Sequence, residues 1–211
     1  MTAINALVTS DAAHMFTDGG LYGQAEGKLV SFGTKVQLFP HLNAVAACSG
    51  WAHMGYVIWD ALSDRNFQSF DELAAGFGDA IRVYLNRETW THRDFFEAVL
   101  AGWSESADEP QVWVVQNAAN NTPAYVPRQV SETTTPYNLA IGAVVLDPSD
   151  PVTYGLSVLE KQRSEKWDTA NGSRSIHAVG GFAQHTIVDR SGIKTRVLRR
   201  WPDKVGEPVA L

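Results

Sequence analysis

The chain has 211 residues, 45% hydrophobic and 19% charged, enough apolar material for a two-layer core without disulfide or metal staples. A net charge of −6 argues against a broad nucleic-acid surface, and the arginines of "RVLRRW" read as a solvated strand face. The one cysteine, Cys48, excludes an internal disulfide and fits a reducing compartment, and no apolar run approaches the roughly 20 residues of a membrane span.

No charged n-region and apolar h-region stand at the start, so the expectation is a soluble, cytoplasmic protein with one domain over 1–211. "INALVTS" and "AAHMFT", separated by "SD", predict a hairpin. "GLYGQAEG" reads as a glycine-rich loop. "KLVSFG" and "KVQLFP" read as strands, the second with Lys35, Gln37 and Phe39 on one face and Val36 and Leu38 on the other. "LNAVAACSG", a run of small apolar residues, predicts a central strand buried on both faces.

The period then changes. Trp51, Met54, Ile58 and Leu62 recur at helical spacing, and Tyr56 and Trp59 fall outside that stripe, a density of aromatics that predicts a contact surface. A second helix starts at Ser69 with Glu72 three residues on, a capping box, and buries Leu73, Phe77, Ile81 and Tyr84. "FFEAVLAGWS", "QVWVVQN", "PAYVPRQV" and the apolar "YNLAIGAVVL" are further strand candidates, the last expected to be buried. Asp150-Pro151 opens a helix and Asn171-Gly172 is its expected stop. "SIHAVGGFAQHTIVDRSGIKTRVLRRW" reads as two strands turning at 190–192. Strands and helices do not alternate, which disfavours a doubly wound parallel sheet. Two largely antiparallel sheets with helices packed outside them fit better.

Thr2 raises a chemical question. Removal of Met1 would leave a hydroxyl beside its own α-amino group, a nucleophile and a base on one residue. Asp18 closes the second strand, Lys35 opens a later one, and the small-residue turn "ACSGWA" carries Gly50 just ahead of two helices. With the late "AVGGFAQHTIVDRSG", these features resemble the β-subunits of the proteasome and its bacterial relatives, N-terminal-nucleophile hydrolases. The resemblance implies an α+β fold, a four-layer αββα sandwich of two mainly antiparallel sheets. It implies a threonine peptidase or amidohydrolase with Thr2 as nucleophile, Lys35 tuning it and Asp18 holding the lysine. Backbone N–H groups between Ala47 and Gly50 would stabilise the oxyanion. It also implies self-association, or association with homologous subunits, through the helical layer.

The chain departs from that pattern. Val179 stands where the family has a serine before the late Gly-Gly, and no acid lies just upstream, leaving Ser175 or His177 as substitutes. Ala47 stands where a glycine is usual, Ser149 falls late for the family's serine turn, and the final pair of helices is reduced to one. The alternative function is therefore a catalytically inactive structural or assembly protein, a ring or virus-like particle component. His14, His41, His53, His92, His177 and His185 are scattered without metal-ligand spacing, so no metal and no cofactor is expected. Cys48 lies in so apolar a run that it reads as an inert thiol rather than the partner of His53. A peptide is the expected substrate class; neither nucleic acid nor membrane is an expected partner.

Overall fold

The computed structural model describes residues 2–23, 26–50, 54–87, 95–117, 123–168 and 175–211. Met1, Trp51, His53, His92 and the expected helix stop at Asn171-Gly172 lie outside them. The N-terminal part runs β1 (Ile4–Val8), β2 (Ala12–Asp18), β3 (Gly20–Gly23), β4 (Lys28–Phe32), β5 (Val36–Phe39) and β6 (Ala44–Ser49). Helices α1 (Met54–Ser63) and α2 (Phe70–Arg87) follow, then β7 (Glu97–Ser104), β8 (Glu109–Gln116), β9 (Arg128–Val130) and β10 (Glu132–Thr135). The rest comprises α3 (Leu139–Gly142), α4 (Pro151–Ser164), β11 (Trp167–Asp168), β12 (Ser175–Ile176), β13 (Phe182–Asp189) and β14 (Gly192–Arg200).

Two five-stranded antiparallel sheets face each other, one ordered β10-β1-β2-β13-β14 and the other β5-β6-β7-β8-β9. Alternation of side chains builds three apolar layers from them. Ile4, Ala6, Ala13 and Met15 of the first sheet meet Val45, Ala47, Val99 and Val114 of the second in the middle. Ala44, Ala46, Ala98 and Leu100 turn outward under α1 and α2. Leu7, Phe16 and Ala183 turn outward under Leu159 of α4. The architecture is the four-layer αββα sandwich, an α+β fold, that the sequence led one to expect.

Local signals held at several places. The β1–β2 hairpin forms, pairing Ile4 with Thr17 and Val8 with Ala13. On α1, Met54, Ile58 and Leu62 are buried, while Tyr56 is 71% and Trp59 42% exposed. The loop after β7 does not cover those aromatics: its Glu105 carboxylate accepts from the amides of Phe70 and Asp71 at the start of α2. There, Ser69 Oγ accepts from Glu72 N, and Glu72 Oε2 accepts from Gln68 N, one residue ahead of the usual return bond of a capping box. Asp150 caps α4 by accepting from Thr153 N.

Other expectations are corrected. The segment 137–146 is not a buried strand. Asn138 accepts from Ile141 N and starts a single helical turn, α3, that buries Ile141 and leaves Leu139 90% and Val145 85% exposed. The first half of "GLYGQAEG" is not loop but strand: β3 (Gly20–Gly23) pairs with β4, while residues 24 and 25 lie outside the described residues. Of "PAYVPRQV" only the last three residues are strand, and the next strand, β10, pairs with β1 at the sheet edge. Helix α4 ends at Ser164, well before the expected stop, because the chain turns extended at Glu165 and enters β11. Among the described residues, no helix is long and apolar enough to cross a membrane.

Candidate functional site

The site is built at one end of the sandwich, where β2 finishes and β5 begins. Asp18, fully buried, is the last residue of β2. Its carboxylate collects donors from four parts of the chain. Lys35 Nζ donates to Oδ1 at 2.6 Å, and the Ala3 amide donates to the same oxygen at 3.0 Å. The amides of Gly20 and Gly180 donate to Oδ2, each at 3.2 Å. The lysine ammonium is thus held within two hydrogen-bond lengths of the Thr2–Ala3 peptide. Thr2 itself is 9% exposed.

Lys35 is taken out of water by its setting. Burial holds its pKa below the usual lysine range, and the charge and hydrogen bond of Asp18 act in the opposite sense. A buried lysine without a counter-charge sheds its proton easily, and Asp18 is the group that favours the ammonium form here.

The two expected oxyanion positions sit differently. Ala47 lies inside β6, opposite Val36 of β5 and Val99 of β7, with its side chain in the inter-sheet core. Gly50 lies just past the end of β6, beyond the first paired residue of β5, against Phe96. Ser49 and Gly50 therefore form the open end of this turn, and Ala47 its paired base.

The proposed substitutes for the missing serine do not reach the site. Ser175 Oγ donates to Asp168, and His177 Nδ1 lies beside the carbonyls of Arg163 and Glu165 at the end of α4. Val179 is fully buried, and its carbonyl accepts from Arg163 Nη1 at 3.0 Å. The next two backbone groups bind carboxylates: the Gly180 amide donates to Asp18 and the Gly181 amide to Asp203 Oδ2 at 2.7 Å.

Asp203 belongs to a second buried ion pair that the sequence did not reveal. Arg163 of α4 grips both its oxygens with two 2.8 Å bonds, and the Ala210 amide donates to Oδ1 as well, at 2.9 Å. Those hydrogen bonds hold its carboxyl below the ordinary range against the opposing effect of burial. Arg163 also lies over the Trp201 ring at 4.8 Å. Both glycines are needed. A Cβ on Gly180 would come within 2.7 Å of Asp203 Oδ2 and of the Tyr22 hydroxyl, and Gly181 has φ +78°. The Tyr22 hydroxyl is buried without a hydrogen-bond partner. Burial, then Asp18 and Asp203, push its pKa above the ordinary phenol range. No local signal marks Arg163 or Asp203; both are single charged residues far apart in sequence.

Other chemistry is quiet. Burial, with the Glu97 charge, pushes the Cys48 thiol far up, as expected of an inert cysteine. Among the described residues, no group of three or more His, Cys, Asp or Glu side chains is placed to hold a metal. His14 Nδ1 and His185 Nε2 share a hydrogen bond at 3.1 Å on the outer face of the first sheet.

Comparison with known proteins adds the fold's relatives. No family model matches the chain, and no curated protein matches it. Among solved structures it is similar to an Anbu (Gly-1) mutant from Hyphomicrobium sp. strain MC1, with a TM-score of 0.73, 10% identity and coverage of 97% of this chain and 89% of that one. It is also similar to Anbu (ancestral beta-subunit) from Yersinia bercovieri, with a TM-score of 0.68, 14% identity and coverage of 95% and 88%. The sequence resemblance to proteasome β-subunits is corrected by this result. The structures matched are Anbu proteins, and identities of 10% and 14% carry the proteasome-like fold and nothing finer.

Proposed function

We propose that the chain is an amidohydrolase acting on peptide bonds through Thr2, once removal of Met1 frees its α-amino group. One observation carries the reading: Asp18 Oδ1 is shared between the Lys35 ammonium and the Ala3 amide, which keeps a buried positive charge beside residue 2. Thr2 Oγ attacks the substrate carbonyl carbon while its proton passes to the α-amine, a group that titrates at about 7.7–8.0. The Lys35 charge favours the alkoxide character that develops on Oγ. The carbonyl oxygen becomes an oxyanion, taken up by backbone N–H groups at the open end of the turn, Ser49 and Gly50, and not by the sheet-paired Ala47. Collapse breaks the C–N bond, and the leaving amine takes the proton from the α-amine. Water then cleaves the Thr2 ester with the same amine as base.

The test starts with intact mass. The reading expects a species lacking Met1 that forms an ester on Thr2 with a β-lactone acylating agent, located by peptide mapping. Thr2→Ala should abolish the adduct and Lys35→Ala should slow it by roughly 10²-fold or more. Protein lacking Met1 that acylates no faster at Thr2 than at other hydroxyls would refute it.

A second reading, a catalytically inactive assembly component, is favoured by the apolar Val179 and by the exposed Tyr56 and Trp59 on α1. It shares one expectation with the first. The chain associates with itself or with homologous subunits through α1, as the description of the Yersinia bercovieri protein as an ancestral beta-subunit suggests by analogy. Sedimentation velocity should show an oligomer that Trp59→Glu dissociates without unfolding. A 23.1 kDa monomer at micromolar concentration would refute self-association.

A further inference from the structure

The middle layer of the sandwich is apolar along most of its length but polar at the Thr2 end. Val99 and Ala101 of β7 point into that layer, so Glu97, two residues before Val99, points the same way. Ser49 and Gln116 are its cross-strand neighbours and share its face with Ala47 and Val114. This is the end at which Lys35 crosses to Asp18. From the first sheet, Thr17 points into the layer on the parity of Ala13 and Met15, with Gln184 beside it.

Two of these groups have unmet hydrogen-bonding capacity. Glu97 is 8% exposed and Thr17 is wholly buried. Gln116 Nε2 donates to Glu97 Oε2 at 2.5 Å, but Glu97 Oε1 and Thr17 Oγ1 have no hydrogen-bond partner. Such orphans are costly inside a protein and uncommon. Nearby positive charge is already committed or distant: Lys35 is spent on Asp18, and Arg128 acts on Glu97 only through space. Burial pushes the Glu97 carboxyl up, with Gln116 and Arg128 working against that shift. The Thr2 end of the layer therefore holds an uncompensated carboxyl with an unmet acceptor and a hydroxyl without a partner.

We propose that Glu97 and Thr17 form a subsite beside Thr2 for a basic side chain, lysine or arginine, of a peptide. A cationic head supplies several N–H donors, one for Glu97 Oε1 and another for Thr17 Oγ1, together with the missing charge. A neutral amide would match the donors but not the charge, and an acidic side chain would match neither. The subsite deepens the proposed peptide hydrolysis and rests on it for calling the peptide a substrate; the binding itself does not depend on turnover.

The experiment uses capped tripeptide amides identical except for a central Lys, Arg, norleucine or Glu. They are titrated calorimetrically onto the full chain carrying Thr2→Ala, which holds off hydrolysis. The Lys and Arg peptides should bind roughly tenfold or more tighter than the norleucine peptide, and Glu97→Gln should erase the difference. Thr17→Val should reduce it by a smaller factor. If Glu97→Gln fails to fold, the Thr17→Val titration and the ¹³C shift of the labelled Glu97 carboxyl take its place. That shift should move with the Lys peptide and not with norleucine. Equal affinities for Lys and norleucine peptides, or a basic preference that survives Glu97→Gln, would overturn the subsite. Hydrolysis by the unsubstituted chain without basic preference would fell the subsite alone. Basic preference in binding without any hydrolysis would fell the proposed function alone.

Discussion

Replacing Lys35 with Met removes the ammonium and leaves Asp18 wholly buried, with the amides of Ala3, Gly20 and Gly180 still donating to it. Breaking a buried pair by deleting one partner costs about 3–5 kcal/mol. The surviving amide bonds keep part of the carboxylate satisfied, so the low end, about 3 kcal/mol, is expected. Asp18→Asn should cost more, for two reasons. Its amide nitrogen would face the Gly20 and Gly180 N–H groups, donor against donor, and the buried ammonium would lose its counter-charge. The second effect has a pH signature. Burial already lowers the Lys35 pKa, and Asp18 is what opposes that shift. Without Asp18 the folded state gives up the proton more readily than the unfolded state does, so the unfolded state binds more protons over the window below the ordinary lysine value. Stability of Asp18→Asn should therefore rise relative to the unsubstituted protein as pH increases from 7 to 10. Urea midpoints for both single variants and the double variant, at pH 7 and 9.5, supply the numbers. The double variant should be more stable than the two single losses predict if they simply added, by at least about 1 kcal/mol. A Lys35→Met midpoint within about 0.5 kcal/mol of the unsubstituted protein, or losses that add without coupling, would show that the pair is not the strut described above.

Three further outcomes follow from buried groups. Burial, then the charges of His14 and Arg196, hold the His185 pKa down at about 3, so acid protonates the unfolded chain first; stability should fall by about 1.4 kcal/mol per pH unit below about 6.5, and His185→Phe should flatten that slope in acid-titrated urea melts. Arg163→Met strands Asp203, which is wholly buried at its side chain, and should cost about 3 kcal/mol while exposing the 203–210 tail to limited proteolysis. Tyr22→Phe removes a buried hydroxyl that has no partner, so it should be neutral or stabilising in the same melts, whereas a loss above about 1 kcal/mol would mean that the hydroxyl is hydrogen-bonded.

Legibility in the sequence followed the range of the interaction. The β1–β2 hairpin, the buried faces of α1 and α2 and the Asp150 cap rest on residues a few positions apart, and each was readable from spacing. The segment 137–146 misled because its apolar composition matches a buried strand, while one local bond, from Ile141 N to Asn138, and a lack of partners decide otherwise. Asp18 and Lys35 could be paired in advance only because their order and spacing resembled a known family. Arg163 and Asp203 had no such guide: the bond between them spans 40 positions and ties α4 to the C-terminal tail.

That second pair changes what the loss at Val179 means. A serine there would contribute one side-chain hydrogen bond, and its absence reads from sequence as decay of the site. In the fold, the groups that hold the Asp18 carboxylate are backbone amides and the Lys35 ammonium. Backbone donors survive any side-chain substitution that preserves the chain path. The path at Gly180-Gly181 is set by two neighbouring aspartates, since one amide binds Asp18 and the next binds Asp203, which is anchored in turn by Arg163 and the Ala210 amide. The C-terminal tail and α4 therefore brace the turn that orients Asp18, and through it Lys35. A change at Arg163, which touches neither Thr2's neighbour nor Lys35, should disturb the Lys35 ammonium more than a change at Val179 that keeps the core filled, such as Val179→Ile. Measuring the Lys35 ¹⁵Nζ titration in Arg163→Met and Val179→Ile separates the two accounts. A titration displaced by Val179→Ile but untouched by Arg163→Met would place the support in the valine's side chain and not in the braced backbone.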